Sequence, residues 1–220
     1  MMQAHILWLR DDPAMPLERF LPGLTAADLS ELKHFRDPSR IRSFAQSRLL
    51  LQRLLASSLP PHATPMLERT VSGRLALAGV HGWHISLSHG SGLVAAMLSE
   101  AGCGIDIEGP RKMAWQKIAN RYFSAGEQHW LAQQEAEAGP QAFLRLWTLK
   151  EAAVKAMGKG LANHMASMEF DLSGKYPRRT GDSTDMSLLQ EVREDHVLAA
   201  AVMTQESVNW HVECLPVDLL

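Results

Sequence analysis

Two carboxylates stand two residues apart between isoleucines in Gly104-Ile105-Asp106-Ile107-Glu108, and a third, Glu151, follows in Trp147-Thr148-Leu149-Lys150-Glu151-Ala152-Ala153-Val154-Lys155. Successive side chains of a strand point to opposite faces, so Asp106 and Glu108 project together while Cys103, Ile105 and Ile107 cover the other side. Like charges at that spacing repel and coexist best with a cation between them. Oxygen ligands with room for water and a phosphate suit Mg²⁺. Taken alone, an Asp-x-Glu is more often a pair of solvated acids on an exposed edge strand. The second stretch changes that reading. On a helical wheel Phe143, Leu144, Trp147 and Val154 form the core-facing arc, Glu151 falls inside it, and Lys155 lies one turn on at its rim. A carboxylate aimed into an apolar interface is costly unless it is paired or binds a metal. A Glu-Lys pair on a helix surface, worth about 0.2–0.5 kcal/mol, explains the pairing but not its place on the buried side. Three acids from two elements make a carboxylate cluster, with Lys155 beside it to hold a phosphate.

His89 ends a strand pattern at the turn Ser88-His89-Gly90-Ser91-Gly92. The small residues around it leave backbone open to a ligand, and a histidine there can donate to a phosphate. The plainer alternative is a solvated surface histidine. From Lys33 to Arg53 the chain carries Lys33, Arg36, Arg40, Arg42, Arg48 and Arg53 against one acid, Asp37. Such a run suits a phosphate-rich ligand, with a solvated helix face and nucleic acid as rivals. Only Phe35 and Phe44 interleave with it, so single-strand binding by base stacking is not expected.

These residues need strands held beside long helices. His5 to Arg10 reads as a first strand, and Thr25-Ala26-Ala27-Asp28 as a helix start with Thr25 as cap. Ser43 to Ser57 predicts a long helix, with Phe44, Leu51 and Leu55 on one face and Pro60-Pro61 ending it. Trp83 to Ser88 alternates, Gly90-Ser91-Gly92 turns and Leu93 to Leu98 returns, a hairpin that leads into the acidic strand. Met113 to about Ala136 predicts helix interrupted near Phe123-Ser124, and Gln141 to Met157 a strong helix after Gly139-Pro140. The tail predicts strands at Met168–Leu172, Val197–Met203 and Asn209–Val217, with an exposed loop at Gly181–Thr184. Each half thus carries a long helix and several mostly antiparallel strands. That pattern predicts an α+β fold of two similar lobes, 1–100 and 101–220, each a small sheet packed against a long helix.

At 220 residues, 46% hydrophobic and 21% charged, the chain can bury a real core and does not have the composition of a disordered one. A net charge of −2 gives no global reason to bind nucleic acid or an acidic membrane, and no apolar run approaches a membrane span. The opening MMQAHILWLRDD turns acidic too soon for a signal peptide, and the two cysteines, Cys103 and Cys214, read as buried free thiols. A reducing cytoplasm is therefore expected.

In this order the residues resemble the 4′-phosphopantetheinyl transferase superfamily in its longer, Sfp-like, two-lobed form. The resemblance rests on Ser88-His89, on GIDIE at Gly104–Glu108, on Arg121-Tyr122-Phe123-Ser124-Ala125-Gly126-Glu127, and on WTLKEAAVK at Trp147–Lys155. It spans residues 83 to about 160, and the pairing of GIDIE with WTLKEAAVK is its most specific part. Where that family often has Gly-Lys-Pro, this chain has Gly73-Arg74-Leu75, so an arginine is kept for a phosphate and the stiffness of a proline is lost.

The resemblance implies transfer of the phosphopantetheine arm of coenzyme A to a serine of an apo acyl or peptidyl carrier protein, releasing adenosine 3′,5′-bisphosphate. It implies Asp106, Glu108 and Glu151 as ligands of Mg²⁺, with Mn²⁺ as a substitute, and Glu151, Lys155 and His89 as the catalytic groups. Arg36, Arg42, Arg48, Arg74, Ser88, His89, Lys150 and Lys155 would bind coenzyme A. A basic rim at Arg111, Lys112 and Lys117 would steer an acidic carrier. A monomer suffices for two fused lobes, with no nucleic acid or membrane partner. A module of the same fold that binds carrier proteins without turnover is the alternative.

Overall fold

Thr25 starts the first helix, α1 (Ala26–Leu32), through a capping box: its hydroxyl accepts from the Asp28 backbone while Asp28 reaches back to the Thr25 amide. The computed structural model describes residues 1–71, 73–158, 165–180 and 185–220, and the loop expected at Gly181–Thr184 lies outside the described residues. The long helix α2 (Pro38–Ser58) begins a turn ahead of the apolar pattern because Asp37 caps it and Pro38 occupies the first turn. Strands β4 (His84–Gly90) and β5 (Leu93–Ser99) form the expected hairpin. Ser91 and Gly92 both take positive φ at its tip, as a two-residue turn between twisted strands requires.

Four strands make the first sheet, in the order β11 (Val208–Cys214), β1 (Met2–Arg10), β5, β4. The second sheet is β6 (Cys103–Glu108), β10 (Val197–Val202), β9 (Ser187–Val192), antiparallel throughout. Two small ribbons, β2 (Met66–Arg69) with β3 (Leu75–Ala78) and β7 (Phe170–Asp171) with β8 (Arg178–Arg179), complete the strands. Helices α3 (Trp115–Tyr122), α4 (Ala125–Ala132) and α5 (Gly139–Met157) lie between β6 and β7, and the break between the first two falls at Phe123-Ser124. The fold is α+β.

The two sheets face each other across a core of Ile6, Ala95, Met97, Ile105, Ile107 and Leu198. Helix α2 packs on the outer face of the first sheet through Leu50, Leu51 and Leu54. Helix α5 packs on the outer face of the second through Phe143, Leu149, Ala153 and Val154. One expectation needs correcting. The last strand does not stay with residues 101–220: β11 pairs in parallel with β1, with Ile6 opposite Val212, so the C-terminal strand completes the first sheet. Local patterning finds a strand but does not say which edge it joins.

The candidate active site

Gly104 explains how an acidic strand comes to lie under a helix. A Cβ on it would stand 2.0 Å from the Ala152 carbonyl oxygen and 2.5 Å from the Ala156 nitrogen. Only a bare backbone lets β6 approach α5 this closely. The face of β6 that carries Asp106 and Glu108 is thereby pressed against the face of α5 that carries Glu151 and Lys155. All three acids are buried, at 5%, 9% and 9% exposure, which excludes solvated acids on an open edge.

Asp106 is held from two sides. Its Oδ1 accepts from the Ser88 hydroxyl at 2.7 Å and from Lys155 Nζ at 2.8 Å, and Lys155 also donates to the Ile105 carbonyl at 2.9 Å. Among the described residues Asp106 Oδ2 has no hydrogen-bond partner, and neither has Glu108 Oε2. Glu108 Oε1 meets Arg111 at 3.1 Å. Burial, followed by the Asp106 charge, pushes the Glu108 and Glu151 carboxyls up to about 7. Among the described residues no three Asp, Glu, His or Cys groups are drawn together as a ready metal-ligand set. The donor set nevertheless fits a hard cation: every donor is a carboxylate oxygen, two of them are buried without partners among the described residues, and the Asp106 charge helps raise the Glu108 and Glu151 carboxyls.

The other sequence-derived residues divide. The His89 ring sits beside the cluster, and partial burial, then Lys155 and Arg40, hold it below the usual histidine range, so it is neutral near pH 7. Arg74 donates to the carbonyl of Lys155 at the C-terminal end of α5. Arg74, Ser86 and Lys155 line a groove of about 180 Å³. Arg36 is exposed.

Four expectations are corrected. Lys150 faces away from the site: it is fully buried, pairs with Glu127 at 2.7 Å and donates to the carbonyls of Met165 and Met168, so it clamps the segment before β7. The sequence placed α5 with one buried arc, whereas it is buried nearly all round because α3, α4 and residues 165–172 cover its far side. Arg42 is spent on Asp11 and on the carbonyls of Asp12 and Met15. Ser88 is turned to Asp106 and to the Ile107 amide rather than toward a ligand. The thiols also differ from expectation, since Cys103 is buried but Cys214 is exposed.

Arg48 is buried, its Nε 3.1 Å from Asp28 and its Nη2 3.1 Å from Glu31, at one wall of a groove of about 710 Å³. Sequence reasoning missed Ser86, whose hydroxyl accepts from the Ile105 amide at 3.1 Å. It also missed Asp28, Glu31 and Arg69, which surround Arg48. The Thr25–Asp28 capping pattern was the one signal that marked any of these.

A family model described as the 4′-phosphopantetheinyl transferase superfamily matches residues 102–201. The chain is 32% identical over 161 residues to 4′-phosphopantetheinyl transferase psf-1 of Bacillus pumilus, covering 70% of this chain and 69% of the relative. It is 35% identical over 158 residues to 4′-phosphopantetheinyl transferase AcpT of Salmonella typhimurium, covering 68% and 76%. A crystal structure of a holo-(acyl-carrier-protein) synthase from Bacillus anthracis, in complex with CoA (3′,5′-ADP), superimposes with a TM-score of 0.41 at 22% identity, covering 47% of this chain and 95% of that one.

Proposed function

The chain belongs to the 4′-phosphopantetheinyl transferase superfamily, and from that premise we propose that it moves the phosphopantetheine arm of coenzyme A onto a serine of an apo carrier protein. The observation that carries the reading is the burial of Asp106, Glu108 and Glu151 between β6 and α5, with Lys155 on Asp106. A bound Mg²⁺, or Mn²⁺ in its place, held by those three acids, would neutralise charge on the pyrophosphate. No helix of the described residues is long and apolar enough to cross a membrane.

In this reading the serine oxygen attacks the phosphorus that carries the pantetheine oxygen. A new P–O bond forms, and the bond from that phosphorus to the bridging pyrophosphate oxygen breaks. Adenosine 3′,5′-bisphosphate leaves with the bond electrons, and the serine proton passes to Glu151. Glu151 suits that role by its place, buried on the face of α5 that meets the acidic strand and one turn from Lys155. Lys155 and His89 bind the phosphate oxygens, His89 as a neutral donor. Arg74 and Arg48 serve the nucleotide end, and Arg36, exposed just ahead of α2, lends charge only. The exposed Arg111 and Lys112 line a groove of about 390 Å³, Arg111 also meets Glu108, and Lys117 is exposed nearby in sequence on α3. We place the acidic carrier there, with a single chain as the working unit.

The test combines protein, coenzyme A, Mg²⁺ and a panel of apo acyl and peptidyl carriers, read by intact mass. Gain of one phosphopantetheine arm on the carrier serine is the expected result. Tight carrier binding with no mass gain across the panel would instead make the protein a non-catalytic binding module.

A further inference from the structure

The anion position at Arg48 is already filled by the protein itself. Arg48 lies in the groove between α1, α2 and the β2–β3 ribbon, 5% exposed, and among the described residues its Nε and Nη1 lack an aligned hydrogen-bond partner. Two acids share its charge. Asp28 is fixed, because its Oδ2 also accepts from the Thr25 amide at 3.2 Å and from the Thr25 hydroxyl at 2.7 Å. Glu31 has no such second duty: it sits on the last turn of α1, its side chain 29% exposed, and its two oxygens bridge Arg48 and Arg69. Arg69, half-exposed on β2, reaches across the groove to Glu31 and also donates to the Gly73 carbonyl. A carboxylate forked between two guanidinium groups has the geometry and charge that a phosphate would take there. Leu75 lines both this groove and the smaller one at Lys155, so the two adjoin at that side chain.

We propose that Glu31 is an internal stand-in for the 3′-phosphate of coenzyme A, released from Arg48 and Arg69 when that phosphate binds. The inference rests on the transferase reading for its choice of ligand. It makes Glu31 a specificity-determining residue. With Asp28, Glu31, Arg48 and Arg69 summing to no net charge, the 3′-phosphate gains only by exchange, and selectivity over a ligand that lacks it stays small.

The experiment titrates adenosine 3′,5′-bisphosphate and adenosine 5′-monophosphate into the wild type, Glu31→Gln and Arg69→Gln by calorimetry, with thermal melts to establish folding. Glu31→Gln is expected to tighten the bisphosphate on the order of tenfold, while leaving the monophosphate within about twofold. Arg69→Gln is expected to lower the ratio of the two affinities. An unchanged or smaller ratio in folded Glu31→Gln overturns the proposal, as does absence of bisphosphate binding to every variant. Carrier modification is measured on the same preparations. Transfer without the shift in ratio sinks the Glu31 exchange alone, and the shift without transfer sinks the transferase reading alone.

Discussion

At the scale of single residues, Asp106 joins three parts of the site: the β4 hydroxyl of Ser88, the ammonium of Lys155 and one open oxygen, Oδ2. Asp106→Asn keeps the shape but removes the charge, and carrier modification is expected to fall by on the order of a hundredfold or more with the melting temperature little changed. A folded Asp106→Asn protein that modifies carrier at the wild-type rate would remove Asp106 from the proposed metal-binding acids. The raised carboxyls give a signed pH effect. Glu108 and Glu151 keep their protons in the folded state up to about 7, whereas ordinary carboxyls lose them near 4.5. Between those values the unfolded chain releases protons that the folded chain retains, so their contribution to metal-free stability falls as pH rises through that window. Glu151→Gln is therefore expected to gain stability relative to wild type as pH rises toward 7, measured as the difference in melting temperature. A constant difference would deny the shift. The acid alternation and the helical place of Glu151 made this cluster legible in sequence. The fates of Arg42 and Arg48 were not, because their partners Asp11, Asp28 and Glu31 come from elements too far along the chain for spacing to connect.

Among elements, the contact of β6 with α5 sets the site, and Gly104 sets the contact. Gly104→Ala forces a methyl into the backbone of α5 and is expected to destabilise by about 1–3 kcal/mol or more, with loss of activity, since neither strand nor helix can yield. Chemical denaturation measures it, and a neutral result would mean that the two backbones sit further apart. On the opposite side of α5, the Lys150–Glu127 pair fastens the residues before β7. Lys150→Met strands a buried carboxylate and is expected to cost about 3–5 kcal/mol. Adding Glu127→Gln should restore part of that loss, which a simple loss of packing would not do. The existence of these elements was legible, since α5, the hairpin and the break at Phe123-Ser124 all follow from caps, turns and periodicity. The direction of Lys150 was not, because a lysine beside a functional glutamate reads as exposed until the segment that covers it is known.

Over the whole molecule, the chain closes on itself. β11 lies against β1, so residues at the end of the sequence support the sheet that carries Ser88 and His89. The division into lobes 1–100 and 101–220 remains a proposal, and the last strand crosses it. The exposed Cys214 on β11 gives that strand a reporter, while the Cys103 thiol is buried and pushed up to about 12. Native protein is expected to take one alkyl group, on Cys214, and denatured protein two, as read by intact mass. Rapid native labelling of Cys103 would mean that the seam between β4 and β6 opens.

That seam has its own logic. β4 and β6 run side by side without a backbone ladder, joined by the Ser86 and Ser88 hydroxyls on the amides of Ile105 and Ile107, and by the Cys103 thiol on the His84 carbonyl. Only every second residue of β4 can make these joins. The arrangement therefore has parity: inserting one residue in β4 would turn Leu87 toward β6 and strand two amides. Insertions of two would keep the side-chain direction yet shift Asp106 from its serine. The count of residues in the strand is thus fixed by the side chains that join it to β6.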